Sequence, residues 1–396
     1  MSAAAVRERR HLFELDLVRV QAVALVVGAH TAAVINLTAL TGGAVMIFHT
    51  SREAFFMLTA FVLMYGYARM QVHWPAFWRK RWLLVGVPYV VWSVIYFVVS
   101  GLQTHTVTAS WSTLGTLASD LVLGKAGYQL YFLVVSMQLY LVFPLLRGLI
   151  VATRQHHLPL LAACAAYQVV FSIAVQLQWN LGFLTAWLRG PDAALLSYVF
   201  YIAAGAVAAW HADAFLAFTR RHAHAILGGA AAAVAVSLAT YAVQLTAAGM
   251  SPNDASAVFQ PVLVLESAAV AWALLAIGVL WTDRAMPRRR AVLALSVRSF
   301  GVYLVHPLLL TGVLSAATAV GLTSAVEGIP AVAQLALLLL VVAPVTYTLA
   351  VVATGLVRST PLSLALTGRP RATRTRRADR ARPTSIPTPQ PTEVAA

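Results

Sequence analysis

Charged side chains are scarce in this chain of 396 residues. They make up 10% of the residues, whereas hydrophobic residues make up 60% and the mean hydropathy is +0.78. Soluble domains carry about 25% charged residues, so this composition excludes a soluble globular protein. The apolar runs are about 20 residues long and do not alternate with polar residues, which excludes a membrane β-barrel and predicts membrane-spanning helices.

Cysteine and several enzyme motifs are also scarce or missing. The one cysteine, Cys164, lies within an apolar run, which excludes a disulfide framework and a thiolate metal site. No Gly-x-Ser-x-Gly, Walker or Gly-x-Gly-x-x-Gly pattern is present, so a serine hydrolase or a nucleotide hydrolase has no support. The loop histidines His156, His157, His222 and His224 lack the i, i+4 spacing of helical metal ligands, so we expect no metal.

Ten apolar segments predict an all-α integral membrane protein with about ten transmembrane helices in one domain, residues 15–357. The segments cover roughly 15–37, 53–68, 82–101, 129–149, 158–178, 194–212, 224–245, 257–281, 292–314 and 331–356. With a cytoplasmic N-terminus, 24 of the 28 Lys and Arg residues lie on the cytoplasmic side and three on the other. This asymmetry predicts that both termini are cytoplasmic.

The two ends of the chain are predicted to lie outside the membrane. Residues 1–14 form a short cytoplasmic N-terminal segment, and residues 358–396 form a disordered basic tail rich in Arg, Pro and Thr. The tail arginines suit either anionic lipid head groups or, as we favour, a simple positive-inside role. Because the net charge of +15 is divided between the loops and this tail, it does not indicate nucleic-acid binding.

The first apolar segment carries polar residues that a simple anchor helix does not need. Arg19 and His30 are eleven residues apart, which places them roughly 20° apart around a helix and roughly 16 Å apart along it. Taken alone, Arg19 could reach the interface beside Asp16, and His30 could join two helices. On one shared face, a proton-exchanging imidazole and a guanidinium that holds phosphate or carboxylate indicate an internal functional site.

A second histidine-bearing face is predicted in the ninth segment. Ser299, Tyr303 and His306 are spaced by four and then three residues, so they share one side of a helix. His306 precedes Pro307, which frees a backbone carbonyl near the imidazole. Two histidine-bearing polar faces in one bundle strengthen the case for an internal site.

Two further groups of polar residues have both a functional and a structural interpretation. Glu53 could orient or charge-pair with a catalytic base, or form a local ion pair with Arg52. The loop residues Arg79, Lys80 and Arg81 lie beside tryptophans. This cationic cluster suits a phosphorylated or nucleotide-bearing ligand in the cytosol, or an ordinary positive-inside anchor with interfacial tryptophans.

Four of these segments together resemble the acyltransferase-3 integral membrane family, the bacterial acyl-CoA-dependent O-acyltransferases. Asp16-x-x-Arg19 followed by His30 resembles the first-helix signature of that family, and SFGVYLVHP resembles its Ser-x-Gly-x-Tyr-Leu-x-His segment. EAFFMLTAF and YFLVVSMQLYLVFPLL resemble two more of its segments. The sequence HTSREAFFMLTAFVL is most similar to the branch of the intercellular polysaccharide-adhesion acyltransferases.

The resemblance implies an enzyme that moves an acetyl or succinyl group from cytosolic acyl-CoA to a hydroxyl of a cell-envelope glycan, a lipid or a secondary metabolite. It implies that Arg19 and His30 are the catalytic pair and that the basic loop contacts acyl-CoA. The donor-binding residues are then Arg79, Lys80 and Arg81. The supporting residues are Asp16, Glu53, Ser299, Tyr303 and His306. One departure is Leu84, which stands where the family pattern has a second loop arginine.

Two other functions compete with this interpretation. The same polar face could line the pathway of an exporter of a glycan or lipid-linked sugar, although no internal repeat supports a transporter. A partner subunit of a glycan synthase would make both polar residues dispensable. We expect instead a multi-pass enzyme of the bacterial plasma membrane. Its expected partners are acyl-CoA as donor substrate, a hydroxyl acceptor of glycan or lipid type, and membrane lipids.

Overall fold

The computed structural model of the chain describes residues 10–34, 38–104 and 110–372. Within these ranges the protein is all-helical, without a β-strand. Nine continuous helical segments of the described chain are long and apolar enough to cross a membrane, with Trp74–Thr104 and Ala331–Val357 each counted as one segment. A helix pair bent by 95° makes ten if it is counted as one span. This confirms the predicted all-α integral membrane fold. Residues 1–9 of the predicted N-terminal segment and 373–396 of the predicted tail lie outside the described residues.

The helices follow most of the predicted apolar segments closely. Helices α1 to α7 are Phe13–Ala32, Ala39–Tyr67, Trp74–Arg81, Val87–Thr104, Trp111–Leu123, Tyr131–Ala152 and His157–Gln176. Helices α8 to α13 are Thr185–Arg189, Val199–Trp210, Ala212–Arg221, Ala223–Thr246, Pro252–Ala255 and Pro261–Asp283. Helices α14 to α18 are Arg289–Ala319, Leu322–Glu327, Ala331–Leu337, Ala343–Val357 and Ser363–Thr367. Two π-helical turns, Trp82–Gly86 and Leu338–Val342, join α3 to α4 and α16 to α17.

Helix α2 is much longer than the predicted second segment, which began near residue 53. It begins at Ala39, where the Thr38 hydroxyl caps the first turn by accepting a hydrogen bond from the Thr41 amide. Two charged residues, Arg52 and Glu53, lower the hydropathy in the middle of this helix. The first half of the helix was therefore not predicted as part of the apolar segment. In the structure both are buried within the helix, where they have partners.

Helix α1 lies at the centre of the bundle. It packs against α2, α13, α14 and α17, and Ala22, Val23 and Val27 on it are almost completely buried. Close approach is possible because Gly278 of α13 has no side chain: a Cβ there would lie 2.8 Å from the carbonyl oxygen of Glu14. Polar side chains on this central helix therefore face other helices, which is where ionisable groups are found in membrane proteins.

We call the end of the bundle at which α1 begins and α17 ends the terminal end. Its assignment to the cytoplasm remains a prediction. Residues 358–372, which were expected to be part of a disordered tail, fold back across this end and include α18. The indole nitrogen of Trp92 in α4 donates to the Leu366 carbonyl at 3.0 Å and so holds α18 against the bundle.

A glycine closes this folded-back segment. Gly368 has a φ of +61°, and its α-carbon lies so close to the Leu84 carbonyl that no Cβ would fit. Positive φ and a close backbone approach both favour glycine. Four residues later, the Ala372 amide donates to the Arg358 carbonyl at 2.9 Å. The folded domain therefore extends beyond the predicted boundary at residue 357, through residue 372.

Candidate active site

A proline in α14 prepares a hydrogen-bond acceptor for a histidine. Because Pro307 has no N–H, the carbonyl of Tyr303, four residues earlier, loses its helical donor. The Nδ1 atom of His306 takes that place, 2.7 Å from the Tyr303 carbonyl oxygen. A carbonyl oxygen can only accept, so Nδ1 of His306 carries the proton in this contact.

The structure brings His306 together with His30 of α1. The Nε2 atom of His306 lies 2.7 Å from Nδ1 of His30, and the two rings are parallel within 4°. A neutral imidazole has one donor and one acceptor nitrogen. Since Nδ1 of His306 donates to the carbonyl, its Nε2 accepts the proton of Nδ1 of His30. The second nitrogen of His30, Nε2, has no hydrogen-bond partner among the described residues, so its lone pair is free to accept a proton.

An exposed tyrosine lies against the same imidazole at the end of the bundle opposite the terminal end. The Tyr128 ring meets the His30 ring edge-on, with centroids 4.6 Å apart, and 57% of Tyr128 is exposed. The turn that carries Tyr128 is bound to α14, because the Tyr303 hydroxyl donates to the carbonyl of Gln129. Tyr303 therefore shares a helix face with His306 as predicted, but its hydroxyl holds this turn and does not contact His30.

Asp16 organises the arginine near the start of α1. Its carboxylate accepts hydrogen bonds from Arg19 at 3.3 Å and from the Ser296 hydroxyl at 2.6 Å. The imidazole of His11 also lies 2.6 Å from it. The Arg19 side chain is 30% exposed and makes this one hydrogen bond within the described part of the chain, so its other N–H groups are available to a ligand.

Arg19 and His30 lie at different depths of the bundle. They occupy one helix, and at about 1.5 Å per residue their eleven-residue separation corresponds to roughly 16 Å. An apolar cavity of about 400 Å³ lies between α1, α2, α9 and α13, and its lining includes Leu15 and Val18 but neither Arg19 nor His30. A common cavity for Arg19 and His30 therefore remains a prediction.

Two supporting residues of the sequence hypothesis are placed elsewhere. Glu53 does not contact either histidine: it forms a buried ion pair with Arg52, whose Nε donates to it at 3.0 Å. Arg52 also pairs with Asp192 at 3.1 Å. The Ser299 hydroxyl donates to the Ser296 carbonyl on its own helix at 2.8 Å. Glu53 therefore belongs to a buried structural ion pair, and Ser299 faces its own helix backbone.

The three basic loop residues divide into an interior one and two surface ones. Arg79 and Lys80 are exposed. Arg81 points between the helices, where its guanidinium lies 5.3–5.6 Å from three aromatic ring centroids. These rings belong to Tyr67, Phe77 and Tyr140. In the described structure Arg81 forms no ion pair, and its Nε is buried without a hydrogen-bond partner.

Sequence reasoning missed three residues that the structure places beside the predicted ones. Ser296 lies three residues before Ser299, so the helical spacing that selected Ser299 also fits Ser296. Tyr128 lies in a loop and had no periodic signal. Arg369 lies in the predicted tail, and its charge interacts with Arg19 and Asp16. Among the described residues, no group of three His, Cys, Asp or Glu side chains could hold a metal ion.

The fold and these polar contacts define a multi-pass helical membrane protein with polar side chains facing inward between its helices. A family model described as an acyltransferase domain matches residues 12–354, most of the chain. The chain therefore belongs to the acyltransferase-3 family, and the protein is a membrane acyltransferase. Comparisons with curated proteins and with solved structures found no match.

Proposed function

We propose that the protein transfers an acetyl or succinyl group from acyl-CoA to a hydroxyl of a glycan or lipid of the bacterial cell envelope. The hydrogen-bond chain from the Tyr303 carbonyl through His306 to His30 carries the proposal. It leaves one nitrogen of a neutral imidazole free to accept a proton, which is what a general base for an alcohol acceptor requires.

The transfer proceeds in two steps around His30. As the acceptor oxygen attacks the thioester carbonyl carbon, Nε2 of His30 removes the hydroxyl proton and a new C–O bond forms. The C–S bond of the tetrahedral intermediate then breaks, and the proton on His30 neutralises the departing thiolate to give free CoA. His306 positions the base, because its accepting nitrogen holds the Nδ1 proton of His30 in place throughout.

Arg19 acts on a different part of the donor in this mechanism. Its roughly 16 Å separation from His30 along α1 is too large for both side chains to contact the reacting carbonyl. A guanidinium held by Asp16 at the terminal end suits the phosphates of CoA, whose extended pantetheine arm carries the thioester toward His30. Arg19 therefore holds the donor, and developing oxyanion charge requires another donor group.

The acceptor approaches from the opposite end of the bundle. His30 lies two residues before the last residue of α1, and the exposed Tyr128 ring lies against it there. An aromatic ring beside a base suits the apolar faces of sugar rings as well as acyl chains. Donor and acceptor thus reach the imidazole from opposite sides of the membrane.

A thiol-release assay tests the proposal. Protein purified in nanodiscs is supplied with acetyl-CoA or succinyl-CoA and an envelope glycan acceptor, and free CoA and acylated glycan are measured together. We expect equal amounts of both products from the native protein and almost none from His30→Ala. Wild-type turnover by a folded His30→Ala protein would reject the assignment. Glycan movement across the membrane without CoA release would favour the exporter.

A further inference from the structure

Three arginines outside the predicted site come together at the terminal end. Arg298 lies on α14, Arg358 follows α17, and Arg369 follows α18 in the folded-back segment. The Arg298 guanidinium carbon lies 3.2 Å from where a Cβ of Gly355 would be, so it is packed against α17 near Arg358. The backbone bond between Arg358 and Ala372 brings the segment that carries Arg369 to the same place.

The charges of these residues act on one another. Burial lowers the pKa of Arg358, and the neighbouring charges of Arg369 and Arg298 lower it further. Burial and the charge of Arg19 lower the pKa of Arg369, whereas the Asp16 carboxylate raises it. Four guanidinium groups therefore form one continuous positive cluster, which we call the terminal arginine cluster: Arg19, Arg298, Arg358 and Arg369.

The carboxylate nearby does not neutralise this charge. In residues 10–34, 38–104 and 110–372, neither Arg298, Arg358 nor Arg369 forms an ion pair. Asp16 is already shared among Arg19, Ser296 and His11. The Nε atom of Arg358 is buried without a hydrogen-bond partner. Arg298 and Arg358 are half-buried, and Arg369 is exposed. Like charges brought this close together are unfavourable without an anion, so the cluster has the character of an anion-binding site.

We propose that the terminal arginine cluster binds the phosphate groups at the nucleotide end of the acyl-CoA donor. This inference rests on the proposed function. Arginine suits such a ligand because its planar fork of N–H donors matches phosphate oxygens in pairs. Arg19 places the cluster on the same helix as His30. Gly368, the residue before Arg369, lies against the Leu84 carbonyl, which is three residues after Arg81 of the predicted donor loop.

A lipid head group offers similar phosphate chemistry, but the position of the cluster favours the donor. Arg19 belongs to α1, the central helix, and its partner Asp16 is bound to α14 through Ser296. The cluster thus lies between α1, α14 and the folded-back segment. A donor bound at the cluster therefore lies at the terminal end of the helix that carries His30, whereas a lipid head group has no need of that helix.

Two donors that differ in their phosphates test the proposal. Kinetics are measured with acetyl-CoA and with S-acetylpantetheine, which lacks the nucleotide and all phosphates, in phosphatidylcholine nanodiscs. We expect Arg369→Ala and Arg358→Ala each to raise KM for acetyl-CoA roughly tenfold or more with little change in kcat. The KM for S-acetylpantetheine should be unchanged in both variants, and its turnover also shows that they are folded.

Arg371→Ala is the matched control. Arg371 lies in the same segment, but its Nε donates to the Ser359 carbonyl at 2.8 Å, and we expect its KM for acetyl-CoA to match the native value. An unchanged KM in Arg369→Ala and Arg358→Ala, or an equal rise for both donors, would overturn the cluster assignment and leave the proposed function intact. Failure of the native protein to release thiol from either donor would instead reject the proposed function.

A change of lipid composition distinguishes acyl-CoA from lipid head groups as the source of the bound phosphate. The same variants are measured in nanodiscs that contain phosphatidylglycerol. A defect that appears only with this anionic lipid, and equally for both donors, would assign the cluster to lipid head groups and overturn the proposal. A donor-specific rise in KM in both kinds of nanodisc supports it.

Discussion

The positioning of His30 by His306 gives a prediction with a defined size. His306→Leu removes the acceptor for the Nδ1 proton of His30 and leaves that buried N–H without a partner. An unsatisfied buried polar group costs about 1–3 kcal/mol. If that cost falls on the geometry of the base in the transition state, kcat decreases roughly five- to 150-fold. His30→Ala removes the base itself and should cost roughly 10²- to 10⁴-fold.

The conservative replacement distinguishes positioning from a bulk structural role. In His306→Gln, the side-chain amide oxygen can accept from Nδ1 of His30 near the former Nε2 position, so we expect much of kcat to return. Initial rates of CoA release at saturating donor measure all three variants. His211→Leu is the control, because it breaks a similar contact between His157 and His211, 2.8 Å long, without affecting His30.

Three results would refute this reasoning. Native activity in a folded His306→Leu protein would show that the contact does not matter for catalysis. Equal loss in the Leu and Gln variants would show that His306 does not act as a hydrogen-bond acceptor. A loss in His211→Leu as large as that in His306→Leu would show that general destabilisation causes both.

Three other substitutions test the ligand-binding, electrostatic and packing interpretations. Arg19→Lys keeps the charge but loses the planar fork, so KM for acetyl-CoA should rise roughly tenfold in steady-state kinetics. Glu53→Gln breaks a buried ion pair and should lower the free energy of unfolding by about 3–5 kcal/mol in denaturant titrations, whereas Asp192→Asn, at a half-exposed carboxylate, should cost about 1 kcal/mol or less. Gly205→Ala forces a Cβ into the backbone of α2 and should cost about 1–3 kcal/mol, whereas Gly228→Ala meets no atom within 4 Å and should be neutral or stabilising.

Each of these substitutions has an outcome that contradicts its premise. A native KM in Arg19→Lys would argue against paired contacts between this arginine and phosphate. Similar losses of stability at Glu53 and Asp192 would mean that burial does not distinguish the two ion pairs. An unchanged melting temperature in Gly205→Ala would contradict the close contact between α2 and α9.

Most of the fold could be predicted because a bilayer imposes strong and simple constraints. A segment that crosses hydrocarbon must be apolar for about 20 residues and must satisfy its backbone internally. The first half of α2 was missed because hydropathy counts Arg52 and Glu53 as costs. Their cost is offset by each other and by Asp192, which is 139 residues from Glu53 along the chain. Partners at that separation have no signature in one sequence.

The parts of the candidate site that depend on spacing within one helix could be predicted. The parts that depend on contacts between helices could not. The spacing of Tyr303 and His306, and the carbonyl freed by Pro307, follow from helix geometry. The contact between His30 and His306 joins residues 276 positions apart and depends on how α1 crosses α14. Ser299 shows the converse: it shares the correct face, yet its hydroxyl donates to its own helix.

The folded-back segment was missed because composition does not reveal where a tail stops packing. Residues 358–372 share the Arg, Pro and Thr content of the rest of the tail, and their three leucines form too short an apolar stretch to predict a span. What distinguishes them is the complementary surface, namely the indole of Trp92 and the carbonyl of Leu84. Trp92 and Leu84 both lie more than 270 residues earlier in the chain.

This arrangement has a consequence for biogenesis. Helix α1 leaves the ribosome early, but the segment that comes to lie beside its first turns is synthesised more than 300 residues later. Contacts between such distant parts of a chain form slowly and late. During translation, Arg19 and Asp16 therefore enter the membrane before the segment that carries Arg369 has been synthesised. A chain truncated before Gly368 would keep every span of the described structure and leave this end of the bundle open.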